Sequence, residues 1–299
     1  MIAGPTASGK TSLSIALAES LNGEIISVDS RQCFRYMDIG TAKPTAEDLE
    51  KIRHYNISVL NPDEEDTVAD FLKRAEDYTN NIEVKGKSVI YCGGSTLHLQ
   101  SIIRPLDDIP SADPDNIERL NRQANEQGLD SLFLMLQKAD PEYAKKMDGL
   151  NRQRIIRALD VWQQTGKPFS SFHSNEPISL PVHLKAFALH MDRATLHQRI
   201  ENRVDDMLES GFLDEVRELL NKGYSDQLQA FNTVGYRQAI SFLNGECSYI
   251  EMSDDIKTAT RRYAKRQLTW LRRLQFLHWL DMNVMTEDEA IEEIRKAII

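Results

Sequence analysis

The sequence feature that most constrains the fold is a phosphate-binding loop close to the first residue. Residues 4–11 read Gly-Pro-Thr-Ala-Ser-Gly-Lys-Thr and match the pattern G-x-x-x-x-G-K-[ST]. In this pattern, backbone N–H groups and a helix N-terminus converge on phosphate oxygens, the lysine adds positive charge, and the last hydroxyl can ligate Mg²⁺. It predicts a short strand, then a helix from about Lys10 to Leu21. The predicted phosphate-binding residues are Gly4, Pro5, Thr6, Ala7, Ser8, Gly9, Lys10 and Thr11, with Thr11 also as the metal ligand.

The next segments alternate between strand and helix patterns. Apolar runs predict strands at 24–29 and 88–92, and a helix is expected over 68–83. Such alternation predicts an α/β fold, here a P-loop NTPase-like core with a parallel sheet and flanking helices.

Between about Asp108 and Phe172 the pattern becomes almost entirely helical. Asp-Pro pairs at 113–114 and 140–141 each place an N-cap before a proline at the first helical position. A further helix is expected over 152–165, and 184–189 is expected to return to the sheet before a mainly helical remainder. The predicted domains are a catalytic core at 1–107 and 182–299 and an all-helical insert at 108–181.

Composition excludes several classes of protein. Three Cys among 299 residues do not make a disulfide framework, and we expect a reducing, cytoplasmic setting. No apolar run approaches the roughly 18 residues that a membrane span needs, and no secretory-signal pattern is visible. The net charge of −10, taken alone, argues against a nucleic-acid partner.

The charge is nevertheless unevenly distributed along the chain. Residues 257–275 contain seven basic residues and no acid, whereas the acidic excess lies in 47–77 and 281–299. On a helical projection of 257–275, basic side chains occupy one side and apolar ones the other. This pattern predicts a helix whose basic side follows a phosphate backbone.

The residue that ends the second predicted strand, Asp29, is a candidate general base. In a parallel sheet it lies at the carboxyl edge beside the phosphate site, where a carboxylate can take a proton from a nucleophile. A P-loop kinase that uses Asp29 and ATP would explain residues 4–29 but would leave the basic helix unexplained. A non-catalytic RNA-binding protein is disfavoured because Lys10, Thr11 and Asp29 are all present.

Several motifs together resemble bacterial tRNA dimethylallyltransferases. Besides the P-loop they are Ser-Val-Asp-Ser at 27–30, Met-Asp-Ile-Gly-Thr-Ala-Lys-Pro at 37–44, Gly-Gly-Ser at 93–95, Pro-Ser-Ala-Asp-Pro at 110–114, Gln-Arg…Arg-Ala-Leu at 153–159, Val-Gly-Tyr-Arg-Gln at 234–238, and 265–272. They occur in one order over nearly the whole chain.

This resemblance implies an activity. The dimethylallyl group of dimethylallyl diphosphate would pass to N6 of adenine 37 in tRNAs that read codons beginning with U, giving N6-dimethylallyladenosine and diphosphate. The implied cofactor is Mg²⁺, and the implied partners are the tRNA anticodon stem-loop and dimethylallyl diphosphate. We expect a monomer that does not bind membranes. The nearest alternative is an isopentenyltransferase that acts on free adenylate, against which the helical insert and its arginines argue.

The resemblance also assigns site residues. The implied catalytic residues are Asp29, Ser95 and Arg237. Asp29 matches the general base, and Arg237 matches a position that faces the diphosphate and stabilises its negative charge. Ser95 stands where the family usually has threonine, and its hydroxyl is expected to hydrogen-bond near the diphosphate. Arg31 and Gln32 replace small or apolar residues, and His98 stands where tyrosine is common. The implied tRNA-binding residues are Asp29, Ser30, Arg31, Gln32, Gln153, Arg154, Ile155, Ile156, Arg157, Asn232, Thr233, Val234, Gly235, Tyr236, Arg237, Lys265, Arg266, Gln267, Leu268, Thr269, Trp270, Leu271 and Arg272.

Overall fold

A computed structural model describes residues 1–173 and 178–298. The chain divides into two units, one formed by Met1–Arg104 together with Ile178–Ile299, and the other by Pro105–Pro177.

A parallel sheet forms the centre of the first unit. Within the described ranges it has six strands in the order β3-β2-β4-β1-β5-β6, and every neighbouring pair is parallel. The strands are β1 Ile2–Ala3, β2 Gly23–Val28, β3 His54–Tyr55, β4 Ser88–Gly93, β5 Phe187–His190 and β6 His278–Asp281. Val28 and Ala3 both lie opposite Gly93, so the carboxyl ends of β1, β2 and β4 meet at one edge. This is the predicted α/β core.

Helices surround the sheet, and the regular structure in the described part of the second unit is helical. In chain order they are α1 Lys10–Ser20, α2 Ala46–Lys51, α3 Val68–Val84, α4 Thr96–Ile103, α5 Pro114–Gln127, α6 Leu129–Ala139, α7 Pro141–Lys146, α8 Arg152–Thr165, α9 Arg193–Glu209, α10 Phe212–Asn221, α11 Tyr236–Leu243, α12 Tyr249–Leu271 and α13 Glu287–Ile298. None of the helices in the described parts of the chain is long and apolar enough to cross a bilayer.

Strand β2 is buried on both faces, as expected for the interior of a parallel sheet. Because strand side chains alternate between faces, Ile26 packs on one side with Phe71, while Ile25 packs on the other with Leu13. Both faces of the sheet are therefore covered by helices, and the free edge at the carboxyl ends of the strands is left for a ligand.

Helices α5 to α8 pack around their own apolar core in the second unit, which includes Leu120, Leu136 and Leu159. Asp113 accepts hydrogen bonds from the N–H groups of the first turn of α5, and Asp140 does the same for α7. Both caps precede a proline at the first helical position, as the sequence predicts.

The structure differs from the sequence predictions toward the C-terminus. Residues 278–281, expected within a mainly helical remainder, form the edge strand β6. The basic helix ends at Leu271, so the rest of 257–275 lies in the following turn. Leu274 and Leu277 are buried all the same, because the turn folds them against the sheet.

Candidate active site

The P-loop connects β1 to α1 and carries polar groups suited to binding an anion. Gly9 caps α1 with φ of 91°, a left-handed conformation that glycine adopts without strain. The Lys10 ammonium donates to the Pro5 carbonyl at 2.6 Å and so reaches back across the loop. The Ser8 hydroxyl is buried and has no hydrogen-bond partner among the described residues. A buried polar group of this kind is costly unless a ligand satisfies it, which fits a bound phosphate.

Cations surround this loop. Burial lowers the pKa of Lys10 to about 8. Arg203, on α9, donates to the Thr6 hydroxyl at 3.3 Å, and burial lowers its pKa too. A methyl group at Gly9 would lie 3.6 Å from the guanidinium of Arg199. Two cations whose pKa values are lowered by desolvation, with the exposed Arg199 nearby, are typical of an anion site.

Arg203 is not among the residues predicted from the sequence. Arg237, which the resemblance places facing the diphosphate, is exposed at the start of α11 and is absent from the lining of the pocket described below. Its neighbour Tyr236 is fully buried, which turns the next helical position outward. The arginine that the structure places beside the P-loop is Arg203.

Asp29 follows β2 directly. Its Oδ1 accepts hydrogen bonds from the backbone N–H groups of Arg31 at 2.8 Å and Gln32 at 3.3 Å. No residue in the described part of the chain is hydrogen-bonded to Oδ2. One carboxylate oxygen is therefore held by the backbone, and the other is available as a proton acceptor.

Ser95 supports the loop that carries Asp29. Its hydroxyl accepts a hydrogen bond from the Ser30 N–H at 3.0 Å, and its own N–H donates to the Val28 carbonyl at 3.3 Å. Tyr263 of α12 is a hydrogen-bonding neighbour of Ser95, and burial raises the pKa of Tyr263 to about 12, with the Asp29 charge acting in the same direction.

A cavity of about 290 Å³ is lined by several of these groups, namely Thr6, Arg203, Asp29 and Tyr263. Helix α9 contributes both apolar residues and Arg203 to this lining, and α12 likewise contributes both apolar and polar residues. The polar and charged residues include Thr6, Asp29, Ser30, Arg31, Thr41, Arg203, Asn232, Thr233, Tyr263 and Arg266, and the apolar ones are Ile200, Val204, Met207, Val234 and Ile256. The cavity can hold an anion with a small apolar substituent beside a carboxylate.

The loop at 37–44 is fixed by Glu215 of α10. The carboxylate accepts hydrogen bonds from the N–H groups of Asp38 at 2.7 Å, Ile39 at 2.7 Å and Gly40 at 3.1 Å, and from the Tyr236 hydroxyl at 2.5 Å. Burial raises the pKa of that Tyr236 hydroxyl, and Glu215 adds to the shift. The motif thus forms a rigid part of the cavity wall.

The residues predicted to bind tRNA differ in their exposure. Buried ones cannot reach RNA with their side chains because they pack in the cores of the two units or bond to the P-loop. The buried residues are Ile155, Ile156, Gly235, Tyr236, Gln267 and Leu271. The exposed ones are Gln153, Arg154, Asn232, Arg237, Lys265, Arg266, Thr269 and Arg272. Asp29, Ser30, Arg31, Gln32, Arg157, Thr233, Val234, Leu268 and Trp270 are half-buried.

Helix α12 has counter-charges that the sequence does not reveal. Lys257 pairs with Asp205 at 2.6 Å, and Arg261 pairs with Glu201 at 2.6 Å, both acids lying on α9. Five other basic residues of the segment are exposed and form no ion pair within the described residues. We call these the basic face: Arg262, Lys265, Arg266, Arg272 and Arg273.

The chain offers few ligands to a metal ion. Among the described residues no group of three or more His, Cys, Asp or Glu side chains could hold one. Thr11 is exposed at the start of α1, next to Lys10. A site formed by the Thr11 hydroxyl and a bound phosphate suits Mg²⁺, because this ion keeps several of its waters and takes its other oxygen ligands from phosphate.

Comparisons with known proteins agree with this geometry. Residues 32–274 match the family model described as IPP transferase. A tRNA dimethylallyltransferase of Acetivibrio thermocellus is 42% identical over 97% of this chain and 94% of its own length, and that of Salinibacter ruber is 39% identical over 99% and 92%.

Solved structures give the same result. The tRNA isopentenylpyrophosphate transferase of Bacillus halodurans has a TM-score of 0.73 at 38% identity, covering 99% of this chain and 94% of that chain. A eukaryotic dimethylallyltransferase acting on tRNA has a TM-score of 0.79 at 26% identity, covering 98% and 76%.

Proposed function

The chain belongs to the tRNA dimethylallyltransferase family, and we propose that it transfers the dimethylallyl group of dimethylallyl diphosphate to N6 of adenine 37. The acceptors are tRNAs that read codons beginning with U, and the products are N6-dimethylallyladenosine and diphosphate. One observation carries the proposal: Thr6 of the phosphate loop, Arg203, the Asp29 carboxylate and several apolar side chains line a single cavity.

The donor's diphosphate binds in the P-loop. The N–H groups at the N-terminus of α1, the Ser8 hydroxyl, Lys10 and Arg203 neutralise its charge, and Arg203 already contacts Thr6 at the cavity. Its branched hydrocarbon tail lies against Ile200, Val204 and Met207. The Thr11 hydroxyl would hold Mg²⁺, which when bound would supply positive charge that makes diphosphate a better leaving group.

Asp29 is the general base. The N6 amine attacks C1 of the donor, the bond between C1 and the diphosphate oxygen breaks, and a proton from N6 passes to the Asp29 carboxylate. Because the amine is a neutral nucleophile, orientation contributes more than activation. The backbone N–H groups of Arg31 and Gln32 hold Oδ1 and so orient the carboxylate.

The tRNA binds through the basic face of α12, and its phosphates supply the counter-charge that the basic face lacks. Adenine 37 must leave the stack to reach the cavity, which costs little in an unpaired loop. Ser30, Asn232, Thr233 and Val234 line the cavity and are placed to contact the base.

The helical insert contributes exposed arginines of its own. Arg152 and Arg154 lie on the exposed side of α8, and they contact the stem in this proposal. In this proposal the enzyme acts as a monomer. The reaction takes place where mature tRNA is found, in the cytoplasm.

The test is a mass measurement. The protein is incubated with dimethylallyl diphosphate and Mg²⁺ together with unmodified tRNA or, separately, with AMP, and the product is examined for an added C5H8 group. We expect the addition on tRNA, located at adenine 37 by nuclease mapping. Addition to AMP alone, or consumption of ATP without prenyl transfer, would contradict the proposal.

A further inference from the structure

Gln267 is a buried polar residue inside a segment of α12 that the resemblance assigned to tRNA contact. Its relative exposure is 3%. Its Oε1 accepts a hydrogen bond from the Thr6 N–H at 2.9 Å, and its Nε2 donates to the Gly94 carbonyl at 2.8 Å. One side chain therefore joins α12, the P-loop and the connection from β4 to α4.

The two partners of Gln267 belong to opposite sides of the reaction. Thr6 lies in the phosphate loop and contacts Arg203. Gly94 directly precedes Ser95, whose hydroxyl holds the N–H of Ser30, the residue after Asp29. A continuous series of bonds thus runs from the phosphate loop through Gln267 to the loop that carries the carboxylate.

Close packing around Gly94 leaves no room for the hydrogen-bonded groups to shift. A methyl group on Gly94 would overlap Nε2 of Gln267 and lie 2.9 Å from the Gly4 carbonyl. An amide is also chemically required, since one end of the side chain must accept a hydrogen bond and the other must donate one. Glutamate can accept from Thr6 but cannot donate to Gly94 when ionised, and methionine provides no N–H donor and only a weak acceptor.

We propose that Gln267 is a positioning residue that sets the distance between the diphosphate cradle and the Asp29 carboxylate. The inference rests on the proposed function, because this distance matters only if donor and acceptor react between the two loops. Its effect is separable from RNA binding, since the Gln267 side chain is buried whereas Lys265, Arg266 and Thr269 are exposed.

The experiment compares Gln267→Met and Gln267→Glu with the wild type. Gln137→Glu, on the exposed side of α6, is the matched control for charge. The measurements are the donor KM, kcat, the tRNA Kd, the thermal midpoint, and calorimetric binding of inorganic diphosphate.

We expect Gln267→Met to raise the donor KM about tenfold and to lower kcat by a similar factor, because misplacement of reacting groups by about 1 Å costs up to a hundredfold. The tRNA Kd stays within about twofold of the wild type, since the phosphate contacts that dominate RNA affinity are unchanged. Gln267→Glu is also impaired toward the donor, because its charge opposes the diphosphate and the Gly94 carbonyl. Gln137→Glu behaves as wild type.

A Gln267→Met variant that keeps both donor KM and kcat, or loses only tRNA affinity, overturns the inference. If that variant does not fold, Gln267→Glu decides by the same criteria, since it keeps the bond from Thr6. A wild type that fails to transfer the prenyl group contradicts the proposed function instead. The binding of inorganic diphosphate then tests separately whether Gln267 supports the P-loop.

Discussion

Two groups of positive charge in this molecule differ in their surroundings. Lys10 and Arg203 are half-buried beside the P-loop, and desolvation lowers the pKa of each. The basic face of α12, by contrast, is exposed to solvent. The desolvation of half-buried cations is offset only when an anion arrives, so they select a compact, highly charged group. Exposed cations attract a phosphate backbone over a distance and are screened by salt.

This contrast shows why the net charge of the chain misleads. A total of −10 averages over acidic segments, a half-buried anion site and an exposed basic face. Whether a chain binds nucleic acid depends on where unpaired cations lie. The first two predictions concern the cavity, and the last two the surface helix.

The largest effect is expected at the carboxylate between the half-buried cations and the acceptor. Asp29→Ala should lower kcat by about 10²–10⁴, the range for a general base, because no other group takes the N6 proton. Its tRNA Kd should change by less than about twofold, because the exposed phosphate contacts remain. Single-turnover kinetics and filter binding measure the two quantities, and a kcat near that of the wild type would show that Asp29 is not the base.

Arg203→Met should lower kcat/KM for the donor by about 10²-fold, as removal of a charge-stabilising donor does in other enzymes. The loss should depend less on salt than tRNA binding does, because Arg203 is half-buried. The control is Arg217→Met, at an exposed position of α10, which should leave kcat/KM for the donor unchanged. A defect in tRNA affinity rather than donor use would contradict the assignment of Arg203 to the cavity.

On the basic face, Lys265→Ala with Arg272→Ala should weaken tRNA binding severalfold at low salt. The slope of log affinity against log salt should fall by about one for each phosphate that is no longer neutralised. Fluorescence titrations at several KCl concentrations give the slope, and an unchanged slope would mean that these residues touch no phosphate.

The smallest effect is expected at the two paired cations of α12. Lys257→Ala should leave the salt slope of tRNA binding unchanged, because Asp205 already neutralises this lysine. Half-exposed pairs of this kind contribute about 0–1 kcal/mol to stability, so urea unfolding should shift only slightly. A reduced salt slope of tRNA binding in Lys257→Ala would mean that ion-paired basic residues contact phosphates just as unpaired ones do, and would contradict this prediction.

Local motifs explain what the sequence predicts well. The P-loop, the strand that ends before Asp29 and the two Asp-Pro caps depend on contiguous residues, and each lies where its pattern predicts. The strand β6 escapes prediction because four residues are too few to show strand alternation next to long helices.

Arg203 escapes prediction for a different reason. It comes to the P-loop by the packing of α9 across the chain, and no motif surrounds it. A usable signal exists in the helical spacing of Arg199 and Arg203, which parallels that of the cavity residues Ile200 and Val204. The burial of Gln267 also could not be predicted. The two residues before it, Lys265 and Arg266, are basic and therefore suggest an RNA contact. The burial of one side chain cannot be read from its position in the sequence alone.

The close approach of β2 and β4 limits how this edge of the sheet can change. A methyl group at Gly93 would overlap the Val28 carbonyl oxygen, closer than any real contact. The position therefore accepts one amino acid, whereas Ser95, two residues further on, needs only a hydroxyl and can exchange with threonine. In a library randomised at 93–95, active variants would keep glycine at 93 and carry serine or threonine at 95. The Asp29 carboxylate would keep its position at the end of β2.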